Sequence, residues 1–291
     1  MTHLARAIAL AAGIAALAAD TVAAGSYRLR EDSTLRETLR FAGSGERRVT
    51  IRNINGTIRV TGSSDPDVQL EMRRVIYADF ESDLRRGERD VRVVTRDGGP
   101  EVEAVVHHPN EPSCGESGGF GFRSRPPYVV NFDFTVTVPR DTELALCTIN
   151  HGEITVAGTR GDFSVSNVNG RIELRDVRGS GTATTVNGAI DATLLEVPRS
   201  NALFKTVNGA IHVTWPAQLA ADLRMKTFHG GLFTDFDVVP LAHTPAAAPS
   251  RRDGRFVYRS NDFASVRVGG GGPEITLETL NGDVYVLKAQ R

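Results

Sequence analysis

Apolar and polar residues alternate along this chain in short bursts, and the bursts return at fixed distances from a glycine. Counting each such glycine as zero, positions +2 and +4 are apolar at Ile58/Val60, Ile154/Val156, Ile172/Leu174, Ile211/Val213 and Val284/Val286. Ile190/Ala192 and Leu232/Thr234 follow the rule less strictly. Position −5 is apolar at Ile51, Val165, Ala183, Phe204, Met225 and Leu277. Period-two alternation over a few residues predicts a half-buried β-strand. Position −2 is apolar as well, and this parity break marks a corner. Each unit therefore predicts two short strands, one corner at the glycine and a second corner such as Arg178-Gly179-Ser180-Gly181.

The corner carries a short phrase: Thr or Asn, an apolar residue, then Asn-Gly. It stands at Asn53-Ile54-Asn55-Gly56, Asn167-Val168-Asn169-Gly170, Thr185-Val186-Asn187-Gly188, Thr206-Val207-Asn208-Gly209 and Thr279-Leu280-Asn281-Gly282. Asn150-His151-Gly152 and Thr227-Phe228-His229-Gly230 are relatives with His in place of Asn. Gly56, Gly152, Gly170, Gly188, Gly209, Gly230 and Gly282 are thus structural turn residues, at separations of 96, 18, 18, 21, 21 and 52. Asn-Gly could close hairpins. Units of near-constant length instead favour stacking of like on like, so that apolar positions form internal columns and the Asn residues a ladder. The expected fold is all-β: a β-solenoid, or β-helix-like stack, of short strands with 18–21 residues per unit. His151 and His229 read as turn residues, because Asn and His both tolerate positive φ.

The first half is less regular. Residues 49–61 read as an early unit. Strands are expected at 68–77, 91–94, 102–106 and 128–138, with one short helix within 78–89. Residues 107–127 and 240–255 lack periodicity and read as loop insertions. Residues 1–24 have the form of a secretory signal peptide: Arg6, the apolar run Ala7–Ala19, and a small-residue cleavage site at Val22-Ala23-Ala24. The run of 13 residues is too short for a bilayer span, which needs about 20. No later segment is long and apolar enough, and no lipid-anchor Cys follows the leader. Residues 25–291 are then expected to form one exported β-solenoid domain, periplasmic or at the cell surface.

Charge narrows the partners. With 34 basic and 35 acidic residues, the chain lacks the basic excess of a nucleic-acid binder. Lysine occurs only at 205, 226 and 288, which we read as a compositional bias toward arginine. Two cysteines, Cys114 and Cys147, permit one disulfide in an exported chain or two free thiols.

The stretch from Phe134 to Gly188 (FTVTVPRDTELALCTINHGEITVAGTRGDFSVSNVNGRIELRDVRGSGTATTVNG) resembles the bacterial putative-adhesin domain family of unknown function. The unit around Asn55-Gly56 and the ending GGGGPEITLETLNGDVYVLK fit the same pattern. The resemblance covers about Val49 to Lys288. It implies a solenoid-like all-β domain on exported or envelope proteins, and no activity. The chain departs from the pattern at its His-Gly corners, at Asn150 in a normally apolar position, and at its insertions.

Candidate chemistry is sparse. Position +3 places Glu173, Asp191 and His212 on three consecutive units. If stacked, such a row could ligate a divalent cation or share a proton, or it could be a solvated polar face. His107-His108 is the only His pair, and as strand neighbours the two would point apart. Gly269–Gly272 lacks the Lys-Ser/Thr of a phosphate loop, and no Gly-x-Ser-x-Gly elbow is present. Phe120, Phe122 and Tyr128 could offer rings to a sugar or anchor a loop. No cofactor is expected. The reading is a non-enzymatic envelope scaffold that binds a protein or glycan, with a carbohydrate-active β-helix enzyme or a self-associating structural protein as alternatives.

Overall fold

A computed structural model describes residues 6–7, 27–43, 45–109, 114, 126–241, 250–252, 255–257 and 263–290. The expected leader lies outside them, apart from Arg6 and Ala7. So does most of the 107–127 insertion, including Phe120 and Phe122, and part of the 240–255 insertion.

The first elements are β1 (Arg6–Ala7), β2 (Leu29–Leu39), β3 (Arg48–Arg52), β4 (Ile58–Ser63), β5 (Val68–Ala78) and helix α1 (Glu81–Asp90). There follow β6 (Arg92–Arg96), β7 (Glu101–His107), β8 (Tyr128–Pro139), β9 (Glu143–Thr148), β10 (Ile154–Ala157), β11 (Phe163–Asn167) and β12 (Ile172–Val177). Next are β13 (Gly181–Thr184), β14 (Ile190–Leu194), β15 (Ala202–Lys205), β16 (Ile211–Trp215), β17 (Ala221–Lys226) and β18 (Leu232–Thr234). The last are β19 (Val238–Pro240), β20 (Ser250–Arg252), β21 (Arg255–Val257), β22 (Ala264–Val268), β23 (Glu274–Glu278) and β24 (Val284–Lys288).

The architecture is all-β, with two large mixed sheets. One has the order β1-β6-β7-β3-β9-β11-β13-β15-β23-β17-β22-β19, and the other β18-β24-β16-β14-β12-β10-β4-β8-β5-β2. β20 and β21 pair only with each other. The two strands of a repeat unit go to different sheets, and equivalent strands of neighbouring units pair in parallel. Ile154 lies beside Ile172, Ile172 beside Ile190, and Ile190 beside Ile211. This excludes the hairpin use of Asn-Gly, which would make neighbours antiparallel.

Parallel register puts identical side chains over one another, and this is what fills the interior. Ile58, Ile154, Ile172, Ile190, Ile211 and Val284 form one buried column at position +2. Phe204, Leu277 and Met225 continue the −5 column of Ile51, Val165 and Ala183. Phe204 and Trp215 meet edge to face at 5.9 Å between centroids.

The corner glycines have a reason the sequence reading did not supply. A Cβ at Gly152, Gly170, Gly188, Gly209 or Gly282 would fall on the carbonyl oxygen of the corner glycine one unit below. Space, not a left-handed backbone, excludes a side chain at Gly188. The Thr or Asn that opens the corner phrase, three residues before the glycine or four at Thr148, fastens the same contact. Thr148 Oγ1, Thr185 Oγ1, Thr206 Oγ1, Thr279 Oγ1 and Thr227 Oγ1 each donate to a corner-glycine carbonyl at 2.8–3.0 Å, and Asn167 Nδ2 does so at 2.9 Å.

This alignment corrects the reading of His151. Thr148, Ile149 and Asn150 occupy the three phrase positions, so Asn150, not His151, stands in the Asn row. His151 is an extra residue, accommodated at φ 51°. His229 does occupy the Asn position, pairing with Asn281 in parallel.

The order of units also differs from the order of the chain. β24 sits between β16 and β18, and β23 between β15 and β17. The C-terminal unit has thus entered between the units of Gly209 and Gly230. The 96-residue gap is different in kind: β3–β4 and β9–β10 are direct neighbours, and what lies between them departs to one side. That excursion contains β5 and β8, which pair antiparallel; β2, which precedes β3 in the chain, joins them by pairing along the whole of β5. β2 has an edge-strand composition, LREDSTLRETL, with Arg30 and Arg36 exposed and Glu31 and Glu37 half-buried on the face of Ser33 and Leu39, and alternation alone did not mark it. Helix α1 lies across this three-stranded region with Leu84 and Gly87 buried.

Two outcomes follow for stability. Gly188→Val should cost about 1–3 kcal/mol through overpacking against the Gly170 carbonyl, and unchanged thermal melting would contradict the close approach. Thr206→Val keeps the volume but leaves the Gly188 carbonyl without its donor; a loss of about 1 kcal/mol is expected by denaturant titration.

Candidate functional site

The outward positions of the second sheet bring the sequence-predicted row together. Glu173 pairs beside Asp191, and Asp191 beside His212. Because the C-terminal unit intervenes, the row continues through Tyr285 on β24 to Phe233 on β18. His212 stacks on Tyr285 with centroids 4.8 Å apart and an interplanar angle of 14°, and Phe233 stacks on Tyr285 at 4.7 Å and 12°. A line of charges thus ends in three parallel rings.

Arginines engage both carboxylates. Arg171 Nε donates to Asp191 Oδ2 at 2.8 Å, and Arg175 Nη2 to Glu173 Oε2 at 2.7 Å. Arg171 also approaches Glu173 at 3.8 Å. His212 Nδ1 lies 3.1 Å from Asp191 Oδ1. A cation entering this row would have to displace two guanidinium partners. Among the described residues, no group of three or more His, Cys, Asp and Glu side chains could hold a metal ion. At the aromatic end, Tyr285 Oη donates to Asp283 Oδ2 at 3.2 Å. Desolvation, and then the Asp283 carboxylate, hold this phenol above its ordinary pKa, so it stays a neutral donor.

A second line runs along the corners. Four Asn amides donate to the Asn of the unit below: Asn169 to Asn150 at 3.3 Å, Asn187 to Asn169 at 2.8 Å, Asn208 to Asn187 at 2.8 Å and Asn281 to Asn208 at 2.6 Å. His229 Nδ1 closes the series on Asn281 Oδ1 at 2.9 Å, so in this arrangement Nδ1 carries the proton. Beside this ladder runs an apolar column of Ile149, Val168, Val186, Val207, Leu280 and Phe228. Carbonyls of the first five accept the backbone N–H of the next ladder residue at 2.8–3.0 Å, which fixes the stacking. Val186 is 39% exposed, Leu280 45% and Phe228 62%.

The remaining candidates do not converge on these lines. His107 ends β7 opposite Arg92, and the His108 ring lies 6.2 Å from that of Tyr128. Tyr128 is buried, with its hydroxyl donating to Asp90 Oδ2 at 3.0 Å, so it offers no ring face to a sugar. Cys114 and Cys147 form a disulfide with Cα atoms 5.9 Å apart, tying the 107–127 insertion to β9. Gly269–Gly272 forms the turn between β22 and β23. Sequence reasoning missed Arg171, Tyr285 and Phe233. Arg171 was visible at position +1 of its unit. Tyr285 and Phe233 hold position +3 of theirs, and only the unforeseen order of the stack hid their contact with His212.

Comparison with known proteins adds little. No family profile matches the chain, and no curated protein matches it. Among solved structures, the chain is similar to a putative cell adhesion protein from Clostridium sporogenes, at 8% identity and TM-score 0.45, covering 89% of this chain and 100% of that one. It is also similar to a putative lipid binding protein from Parabacteroides distasonis, at 11% identity and TM-score 0.24, covering 89% and 97%. At these TM-scores neither likeness carries an argument about this chain.

The ladder predicts a modest, local stability effect. Asn208→Ala removes two amide hydrogen bonds on an exposed edge and should cost about 1 kcal/mol; a variant that melts with the parent would show that the amides contribute nothing.

Proposed function

We propose that this chain is an exported, non-enzymatic β-solenoid scaffold that binds an envelope protein or glycan along its flank. The observation that carries this reading is the exposed column of Val186, Leu280 and Phe228 beside the Asn ladder. A continuous apolar line bordered by polar groups is a common form of interaction surface. The parallel pairing of like positions in successive units supports the solenoid, and the leader-like residues 1–24 support export. Among the described residues no helix is long and apolar enough to cross a membrane. The arginine partners of Glu173 and Asp191 argue against the enzyme alternative, because a general acid or nucleophile must reach its substrate.

The test is binding to purified peptidoglycan, a panel of bacterial envelope polysaccharides and solubilised envelope proteins. Exposed substitutions such as Val186→Asp, Leu280→Asp and Phe228→Asp should leave folding within about 0.5 kcal/mol. Combined, they should reduce binding at least tenfold. Equal binding by the triple variant would remove the apolar column from the account. Polysaccharide turnover abolished by Asp191→Ala would replace the scaffold with an enzyme.

Self-association has its own support. β18 and β19 are the last strands of their sheets at one end of the stack, and Leu232, Phe233, Val238 and Val239 are exposed there. Open edges invite pairing with another strand. Sedimentation over a wide concentration range should show association that Val239→Lys suppresses, and a monomer at the highest concentration would refute it.

A further inference from the structure

At one end of the stack the two sheets stop at different heights. The terminal repeat unit gives β17 to the first sheet and β18 to the second. Beyond β17 the first sheet continues with β22 and then β19, whereas the second has no strand beyond β18 among the described residues. The stack therefore ends in a step two strands high, about 10 Å at the usual strand spacing.

The wall of this step is apolar and faces inward. Val238 and Pro240 on β19 lie opposite Val268 and Val266 on β22, and these lie opposite Ala221 and Leu223 on β17. Directly opposed residues share a face, and Ala221 and Leu223 belong to the core. Val238, Pro240 and Val266 thus point to the inside of the stack. Even so, Val238 is 37% exposed, Pro240 is exposed and Val266 only half-buried. Leu232 on β18 has the same lack. It continues the fully buried column of Ile211 and Val284, yet is 36% exposed. Phe236, between β18 and β19, is buried against the core, so the step is a shelf and not a deep cavity.

A second copy has the shape that fits. Turning one copy about a two-fold axis along the strands exchanges its sheets and keeps every strand direction. The two-strand overhang of each copy then enters the two-strand gap of the other. The directions agree as well. The chain reverses at each corner, so β18 runs opposite to β17, while β19 runs with β17 because two antiparallel pairings separate them. The far end of the stack offers no such match. There β2 exposes Arg30 and Arg36 and turns the carboxylates of Glu31 and Glu37 to its inner face, and β6 exposes Arg92 and Arg96. Charges so placed protect an edge from pairing.

We propose that two copies of this chain interlock at their stepped ends as a closed two-fold dimer, with β19 of each copy antiparallel beside β18 of the other. The inward residues Leu232, Val238 and Val266 then lie within a core shared by both copies. The contact is isologous and uses the one apolar end of each copy, so it stops at two. This inference rests on the self-association reading above and names its partner, symmetry and limit.

Phe233 and Val239 are the central residues of β18 and β19 and face outward. In the interlocked dimer Phe233 of one copy neighbours the partner's Val239. Phe233→Cys and Val239→Cys, made separately in the full chain and then mixed, should be joined by a short bis-maleimide; the native cysteines are already paired. Neither variant should link to itself, because the symmetry places its two copies on opposite faces. Sedimentation equilibrium should fit monomer and dimer with nothing larger. Val238→Lys would bury an unpaired ammonium in the shared core and should weaken the dimer about tenfold or more, while melting of the dilute monomer stays unchanged. A monomer at the highest concentration would overturn both this inference and the self-association reading. Association that fails to link the mixed pair, links Phe233→Cys to itself, grows beyond two copies or ignores Val238→Lys would overturn the interlock alone.

Discussion

The backbone of each unit approaches the next so closely at the corner that no side chain fits between them. That contact sets the spacing for everything else. A corner glycine without a Cβ lets one carbonyl lie under the next unit, and the threonine hydroxyls bind the same oxygens from inside. Once the corners are fixed, period-two alternation leaves no choice about which residues turn inward, because a one-residue slip would reverse every face. The isoleucine column and the asparagine ladder are thus two consequences of one register. The aligned amides polarise one another along the ladder, but they lie at the surface, so the buried columns supply most of the cohesion.

Much of this was legible in the sequence. The inward residues at +2, +4 and −5 and the strand at 128–138 follow from periodicity, and the helix within 78–89 from its charged composition. The glycine positions were legible too, although their cause was not: the excluding contact is between units, and no single unit shows it. His151 misled because a one-residue insertion and a substitution look alike in a single chain; the bond from Thr148 to Gly56 and the pairing of Asn150 with Asn55 separate them. β2 escaped because a charged edge strand carries little apolar alternation. The interleaved order of the C-terminal unit had no local signature, since β17, β23 and β15 present the same pattern to either neighbour.

The candidate site was legible in proportion to its dependence on that order. Glu173, Asp191 and His212 belong to consecutive units and were found. Their extension into Tyr285 and Phe233 required two distant segments to exchange places. The result is a face graded from arginine-paired carboxylates to stacked rings. Exposed ion pairs of this kind add little stability; their effect here is to neutralise the acids beside the rings.

The late entry of β23 and β24 has a consequence in time. The units of Gly209 and Gly230 are adjacent in sequence but apart in the folded protein, with β23 and β24 wedged between them. A chain emerging from its N-terminus could assemble everything up to β16 in order. It would then have to hold β17 and β18 off, leaving the apolar columns uncapped until β23 and β24 arrive. Such distant pairing is slow to form. Closing the stack against edge-to-edge pairing therefore falls to β23 and β24, as a keystone closes an arch.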